Sequence, residues 1–231
     1  ARGLPAQVKA GGGIRMKGLH LILIAGLAAG LAAQDSEVRW RFSGFGTAGM
    51  AVTDSALAEV VREPSQPGGP GRSLDLRLDS RLGVQANLDL TSDLGFVGQV
   101  VSRYRADRTF APDLTWAFLS YSPASSLQMR LGRLGWDVFQ LADTRNVGYS
   151  YLWARPPVDF YGPLQFSSLD GGDISLLIPF GTENNLKLKI SYGLASNNDK
   201  IPVVNSTECM NLQGTRLFVF VATFHAETFT V

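Results

Sequence analysis

Apolar residues recur at every second position over long stretches of this chain, and the gaps between those stretches alternate between long and short. Successive side chains on a β-strand point to opposite faces, so this period specifies strands with one apolar and one polar face. Eight strands are predicted, at Val38–Thr53, Ser73–Leu90, Phe96–Arg105, Leu114–Tyr121, Leu127–Arg133, Leu169–Phe180, Leu186–Tyr192 and Thr215–His225. The gaps between them hold 19, 5, 8, 5, 35, 5 and 22 residues. Short turns at one end of a sheet and long loops at the other are the pattern of antiparallel up-and-down β-barrels that cross membranes.

The second predicted strand shows the pattern most clearly. Its even positions are Leu74, Leu76, Leu78, Leu82, Val84, Ala86, Leu88 and Leu90, interrupted by Ser80. Its odd positions run Ser73, Asp75, Arg77, Asp79, Arg81, Gly83, Gln85, Asn87, Asp89. A tilted bilayer crossing uses only about 9 to 11 residues, so the excess is expected to project as a hairpin stalk. A soluble β-sandwich would also bury one face, and alternation alone does not separate the two. Three features favour the membrane: an export signal, the alternating loop lengths, and aromatics (Trp40, Tyr104, Trp116, Tyr192) near predicted strand ends, where interfacial girdles form.

The export signal occupies residues 16–33. Met16 and Lys17 supply a start and a positive region, Leu19–Leu31 an apolar core, and Gly30, Leu31 and Ala32 a small-x-small cleavage pattern. Residues 1–15 read as an upstream extension foreign to the fold, and cleavage near Ala32 or Ala33 would leave a mature chain starting close to Gln34. Elsewhere no apolar run is long enough for a helical span. The formal charge of +1 is carried by the leader, since 17 basic residues face 20 acidic ones beyond it. That balance carries no nucleic-acid footprint. A lone cysteine, Cys209, excludes an internal disulfide, and two histidines, His20 and His225, argue against a histidine-based zinc site.

The 35-residue gap at 134–168 is rich in aromatics: Trp136, Phe139, Tyr149, Tyr151, Trp153, Phe160, Tyr161 and Phe166. That content argues for an ordered and functional loop. It either folds back into the lumen, where Asp137, Asp143, Arg145, Arg155 and Asp159 would line an aperture, or stays external and caps the barrel or packs against a neighbouring subunit.

Two segments, "DLRLDSRLGVQANLDLTSDLGFVGQVVSRYRADRTFAPDLTWAFLSY" and "RLGRLGWDVFQLADTRNVGYSYLWARPPVDFYGPL", resemble the N-terminal half of Gram-negative outer-membrane porins. The likeness covers roughly Val38–Tyr192. It implies an all-β fold, a transmembrane antiparallel up-and-down barrel of about 16 strands when complete, usually a homotrimer, with its third external loop folded into the channel as a constriction. Residues 34–231 would then be the N-terminal part of such a barrel, and 134–168 its third external loop. Asp137, Asp143, Arg145, Arg155 and Asp159 become constriction-loop candidates, and Arg77, Arg81, Arg103, Arg105, Arg130 and Arg133 the facing pore wall. With eight strands counted, the chain is expected to be a truncated or frameshifted half-barrel. Eight strands can close, but side chains would then fill the interior and exclude such a loop.

Chemistry-bearing motifs are few. No nucleophile–base pair assembles around His225, and the glycines of "GFGTAG" at Gly44–Gly49 lack the spacing and following helix of a phosphate loop. No catalytic residue, metal or cofactor is expected. The sequence therefore points to a water-filled channel for passive diffusion of small hydrophilic solutes, embedded in outer-membrane lipid. Alternatives are a secreted soluble β-domain that binds a partner through its aromatic loop, and an outer-membrane barrel enzyme. Of the 17 basic residues after the leader 14 are arginine. Their permanent charge and planar donors suit carboxylate and phosphate, so the arginines either favour anionic solutes or pair with Asp75, Asp79 and Asp89 to keep a wet wall neutral.

Overall fold

The computed structural model describes residues 38–54, 61–62, 66, 68–105, 107–138, 142, 144–147, 150, 152, 168–180, 184–196, 201–202, 209–210 and 214–225. The predicted leader, and Asp143, Arg155 and Asp159 of the long loop, lie outside the described residues.

Ten strands follow in chain order: β1 (Arg39–Thr47), β2 (Arg81–Asp89), β3 (Leu94–Arg103), β4 (Pro112–Ala124), β5 (Leu127–Gly135), β6 (Ser168–Phe180), β7 (Asn184–Ser196), β8 (Ile201–Pro202), β9 (Cys209–Met210) and β10 (Arg216–His225). Eight of them form one sheet in the order β1-β2-β3-β4-β5-β6-β7-β10, and β8 pairs with β9 alone. Every pairing in the large sheet is antiparallel and joins strands that are consecutive within it. The fold is thus an all-β up-and-down sheet, unclosed among the described residues, of the kind that makes up part of a β-barrel.

The connections at the two ends of this sheet differ as the gaps predict. Four, two and three residues join β2 to β3, β4 to β5 and β6 to β7, whereas 33, 8 and 32 residues join β1 to β2, β3 to β4 and β5 to β6. The first short turn is set by its own side chain, since the Thr91 hydroxyl accepts the amides of Asp93 (3.3 Å) and Leu94 (3.0 Å).

The faces are inverted relative to a water-soluble sheet. On β2, Leu82 and Val84 are 61% and 55% exposed while Arg81, which precedes them on the opposite face, is only 6% exposed. The same alternation places Val100 outward and Gln99 and Arg103 inward on β3, Ile174 and Leu176 outward and Asp173 and Ser175 inward on β6, and Ile190, Tyr192 and Leu194 outward and Lys189 and Ser191 inward on β7. The covered face is the one that carries the charged and amide groups, with Val101, Phe118, Leu134 and Leu169 packed among them. It carries a ladder of amides: Gln85 donates to Asn87 (3.0 Å), Gln99 to Gln85 (3.0 Å), and the Thr115 hydroxyl to Gln99 (2.8 Å). A bulge makes the last contact possible, because Thr115 is the extra residue where Gln99 pairs with Trp116 and Val100 with Leu114.

Three expectations are corrected. The second strand begins at Arg81, not Ser73, so the described residues form no long hairpin stalk; an isolated bridge pairs Asp75 with Ala51, and the Thr53 amide donates to the Gly71 carbonyl (3.0 Å). The cause is local. Asp75 accepts the amides of Arg77 (2.6 Å) and Leu78 (3.2 Å), and the Ser80 hydroxyl donates to the Leu76 carbonyl (2.5 Å), so side chains capture backbone groups that a ladder would need. The first strand likewise stops at Thr47. Of the four girdle aromatics, Trp40 and Tyr192 are exposed, whereas Tyr104 is buried. Trp116 shares the inner side with Phe118, its ring 6.4 Å away.

Gly132 has φ of +135°, and a Cβ there would lie 2.3 Å from the Ala117 carbonyl oxygen. Gly132→Ala should cost roughly 1 to 3 kcal/mol. Gly71→Ala, whose Cβ would meet nothing within 4 Å, should be close to neutral. Chemical unfolding in detergent micelles checks both.

Candidate functional site

The polar face gathers two groups of charges. The first is built across β5, β6 and β7 by register, since Arg130 sits opposite Asp173 and Asp173 opposite Ser191, with Lys189 one step along the same face of β7. Arg130 grips Asp173 through Nε (3.0 Å to Oδ1) and a terminal nitrogen (2.5 Å to Oδ2), and Lys189 Nζ lies 3.0 Å from the same carboxylate. Asp137, two residues past the end of β5, completes the group with an ion pair to Lys189 and a longer approach of 3.6 Å from Arg130. The Arg130 guanidinium also lies over the Phe118 ring at 5.4 Å. Asp173 and Lys189 are almost wholly buried, at 2% and 5% side-chain exposure, and two cations balance two anions, as burial demands.

The second group lies at the β2 and β3 end. Arg81 and Arg103 are paired opposite each other and both are buried. Arg81 donates to the Asn146 side chain (3.4 Å). Arg62, from the β1–β2 connection, contacts Asp79 (3.4 Å) and donates to the Arg145 carbonyl (3.4 Å). Gln66 ties this connection down by accepting the Arg62 amide (2.8 Å) and donating to the Leu78 carbonyl (3.1 Å).

These contacts fix the described parts of the long loop over the polar face. Asp137 touches β7 and Asn146 touches β2, five strands away in the sheet order. Neighbouring strands are spaced about 4.8 Å, so the anchors are about 24 Å apart measured along the sheet.

The predicted wall residues divide. Arg81, Arg103 and Arg130 lie on the polar face as the alternation requires. Arg77 lies in the turn before β2, where it is ion-paired with Asp75 at 2.5 Å and stacked over Tyr104 at 5.0 Å. The hydrogen bond from Arg77 holds the Asp75 carboxyl below the usual carboxylate range. Arg105 follows β3, its backbone closing a turn with Thr109 and Arg108. Arg133 is a correction: it lies on the opposite, apolar face, beside the exposed Leu131 and paired with Asp170 (2.7 and 2.9 Å). An odd separation from Arg130 dictates this, because side chains three residues apart on a strand face opposite ways. Of the loop candidates, Asp137 and Arg145 are placed as above. The sequence reading missed Asp173, Lys189, Arg62 and Asn146. Parity alone assigns the first two to the polar face, together with Ser175 and Ser191, whereas nothing in the pattern marks the last two.

No known protein family matches this chain, and no curated protein matches it. Among solved structures it is similar to a loop L8 deletion mutant of OmpT, an outer membrane protein of Vibrio cholerae, at 13% identity and a TM-score of 0.38, over 84% of this chain and 72% of that one. At that distance the likeness assigns neither family nor activity.

Replacing Asp173 by Asn leaves Arg130 and Lys189 facing one carboxylate, and should destabilise the fold by about 3 to 5 kcal/mol. Asp89→Asn, which breaks the exposed 3.1 Å pair with Arg41, should cost less than about 1 kcal/mol. Unfolding midpoints of the two variants measure the contrast.

Proposed function

We propose that this chain forms part of an outer-membrane β-barrel channel through which small hydrophilic solutes diffuse passively, with anionic solutes favoured. The observation that carries the reading is the inversion of the sheet: apolar side chains from β1, β2, β3, β6, β7 and β10 are exposed while charged and amide side chains are covered. Water would penalise that arrangement and hydrocarbon would favour it. A soluble sandwich would turn the same sheet the other way. The strands of the large sheet, at 9 to 13 residues, suit a tilted bilayer crossing. The long connections then stand on the outer side, and the loop after β5 narrows the lumen by lying against its wall. Arg62, Arg81 and Arg103 give one side of that passage its basic character, and passive passage needs no catalytic group. The exported chain would act in the bacterial outer membrane, assembled as a homotrimer when the barrel is complete.

Envelope fractionation tests the location: the chain should stay with the membrane through high-salt and carbonate washes, and release by either wash would overturn the reading. Val84→Arg should cost about 2 to 4 kcal/mol in a folding assay with lipid vesicles, and Gln85→Asn, which shortens one rung of the amide ladder, should cost no more than about 1 kcal/mol. Equal tolerance at the two positions would contradict the face assignment. In the assembled pore, neutralising Arg81 and Arg103 together should lower anion over cation permeability, read as a shift in zero-current potential under a salt gradient. An unchanged potential would leave these arginines as wall structure and remove the anion preference.

A further inference from the structure

The outward face of the sheet is almost free of charge, and the exceptions are gathered in one place. Among the outward positions of the eight strands, charged side chains stand at three: Arg133 on β5, Asp170 on β6 and Arg216 on β10. The register joins them in one cross-strand row, with Arg133 opposite Asp170, Asp170 opposite Leu194, and Leu194 opposite Arg216. Each lies within two residues of its strand's end on the side of the long connections. On β6 the outward positions from Gly172 to Phe180 carry no charge. The stretch from Asp170 to Phe180 spans about 33 Å along the strand, or about 25 Å in height at a tilt of about 40°, which is the height of the apolar band of an outer-membrane barrel. Asp170 thus stands at the edge of that band, where headgroups begin.

The two cations of the row are not equivalent. Arg133 is engaged: two of its nitrogens hold Asp170 (2.7 and 2.9 Å), the third donates to the Leu114 carbonyl (3.3 Å), and Asp113 adds a further attraction. Arg216 is exposed, and among the described residues its side chain has neither an ion pair nor a hydrogen bond. A guanidinium turned toward hydrocarbon is costly, whereas at the headgroup layer it meets phosphate, whose oxygens match its planar fork. We propose that Arg216 anchors the phosphate of an outer-leaflet lipid headgroup at this rim. The Arg133–Asp170 pair, about 10 Å along the row, bounds the site. The acyl chains lie against Tyr192 and Phe218, which pair one outward position further into the band and are 57% and 70% exposed. The inference rests on the membrane reading of the sheet and adds to it the lipid chemistry that the rim selects.

The test is the lipid preference of the full chain reconstituted in phosphatidylcholine vesicles. Spin resonance gives the motionally restricted fraction of spin-labelled phosphatidate and of spin-labelled phosphatidylcholine. The unaltered chain should prefer phosphatidate, and Arg216→Gln should lower that preference at least about twofold. Arg41→Gln removes the same charge from the other face and should leave the preference unchanged. Asp170→Asn, which frees Arg133 of its carboxylate, should raise it. An equal fall in the Arg216 and Arg41 variants would reduce the effect to bulk charge and overturn the proposal. Preference intact in Arg216→Gln with loss of the oligomer in detergent would assign the row to a subunit contact instead. A second measurement needs no variant: molar sodium chloride should weaken the preference of the unaltered chain, and a preference that salt leaves unchanged would contradict a phosphate held at the exposed rim. Restriction of neither probe would remove the membrane reading and this site with it. Equal restriction of both would leave the sheet in lipid and sink the phosphate site alone.

Discussion

The constraint on which the structure depends is that one face of an eight-stranded sheet is apolar and uncovered while the other is polar and covered. In water the hydrophobic effect drives apolar faces together, and a sheet with Leu82, Val84, Ile174, Ile190, Phe218 and Phe220 outward leaves that driving force unused. The same sheet suits hydrocarbon once the outer edges of β1 and β10 are paired as well. Its backbone groups bond to the neighbouring strands, its outer face meets lipid, and its polar face meets water and the loops laid against it. Edge strands β1 and β10 follow the rule too, with Trp40 and Phe42 stacked at 5.8 Å on the outer side of the first.

Burying charge on the covered face has a cost, which the register offsets. Groups on these strands find partners on the next strand or on an overlying loop, so that Arg130 and Lys189 are balanced by Asp173 across three strands together with Asp137 from the loop, and Arg81 meets Asn146 from the same loop. The loop after β5 is therefore held by the same electrostatics that make the wall tolerable. Loop position and wall charge are coupled, and a change at either alters the other.

The strands were legible in the sequence because period-two alternation reports burial asymmetry directly, whichever side the solvent occupies. The three hairpins of the sheet were legible in the gap lengths, since five residues between predicted strands allow little but a hairpin. Residues 73–80 misled because the alternation of leucines there is genuine, yet Asp75 and Ser80 use their side chains to hold a turn. Placing Arg133 on the wall was an error of parity that its distance from Arg130 already contained. Contacts from the long loop were illegible for another reason: Asn146 beside Arg81 and Asp137 beside Lys189 depend on the path of the chain through space, which no local pattern encodes.

The central claim is that the even-numbered residues of β2 face lipid and the odd-numbered ones do not. Single cysteines at Leu82, Val84 and Gln85, each carrying an environment-sensitive fluorophore, can be compared in vesicles that contain nitroxide-labelled acyl chains. Strong quenching at Leu82 and Val84 with little at Gln85 is the predicted result. Equal quenching at all three, or quenching confined to Gln85, would contradict the account.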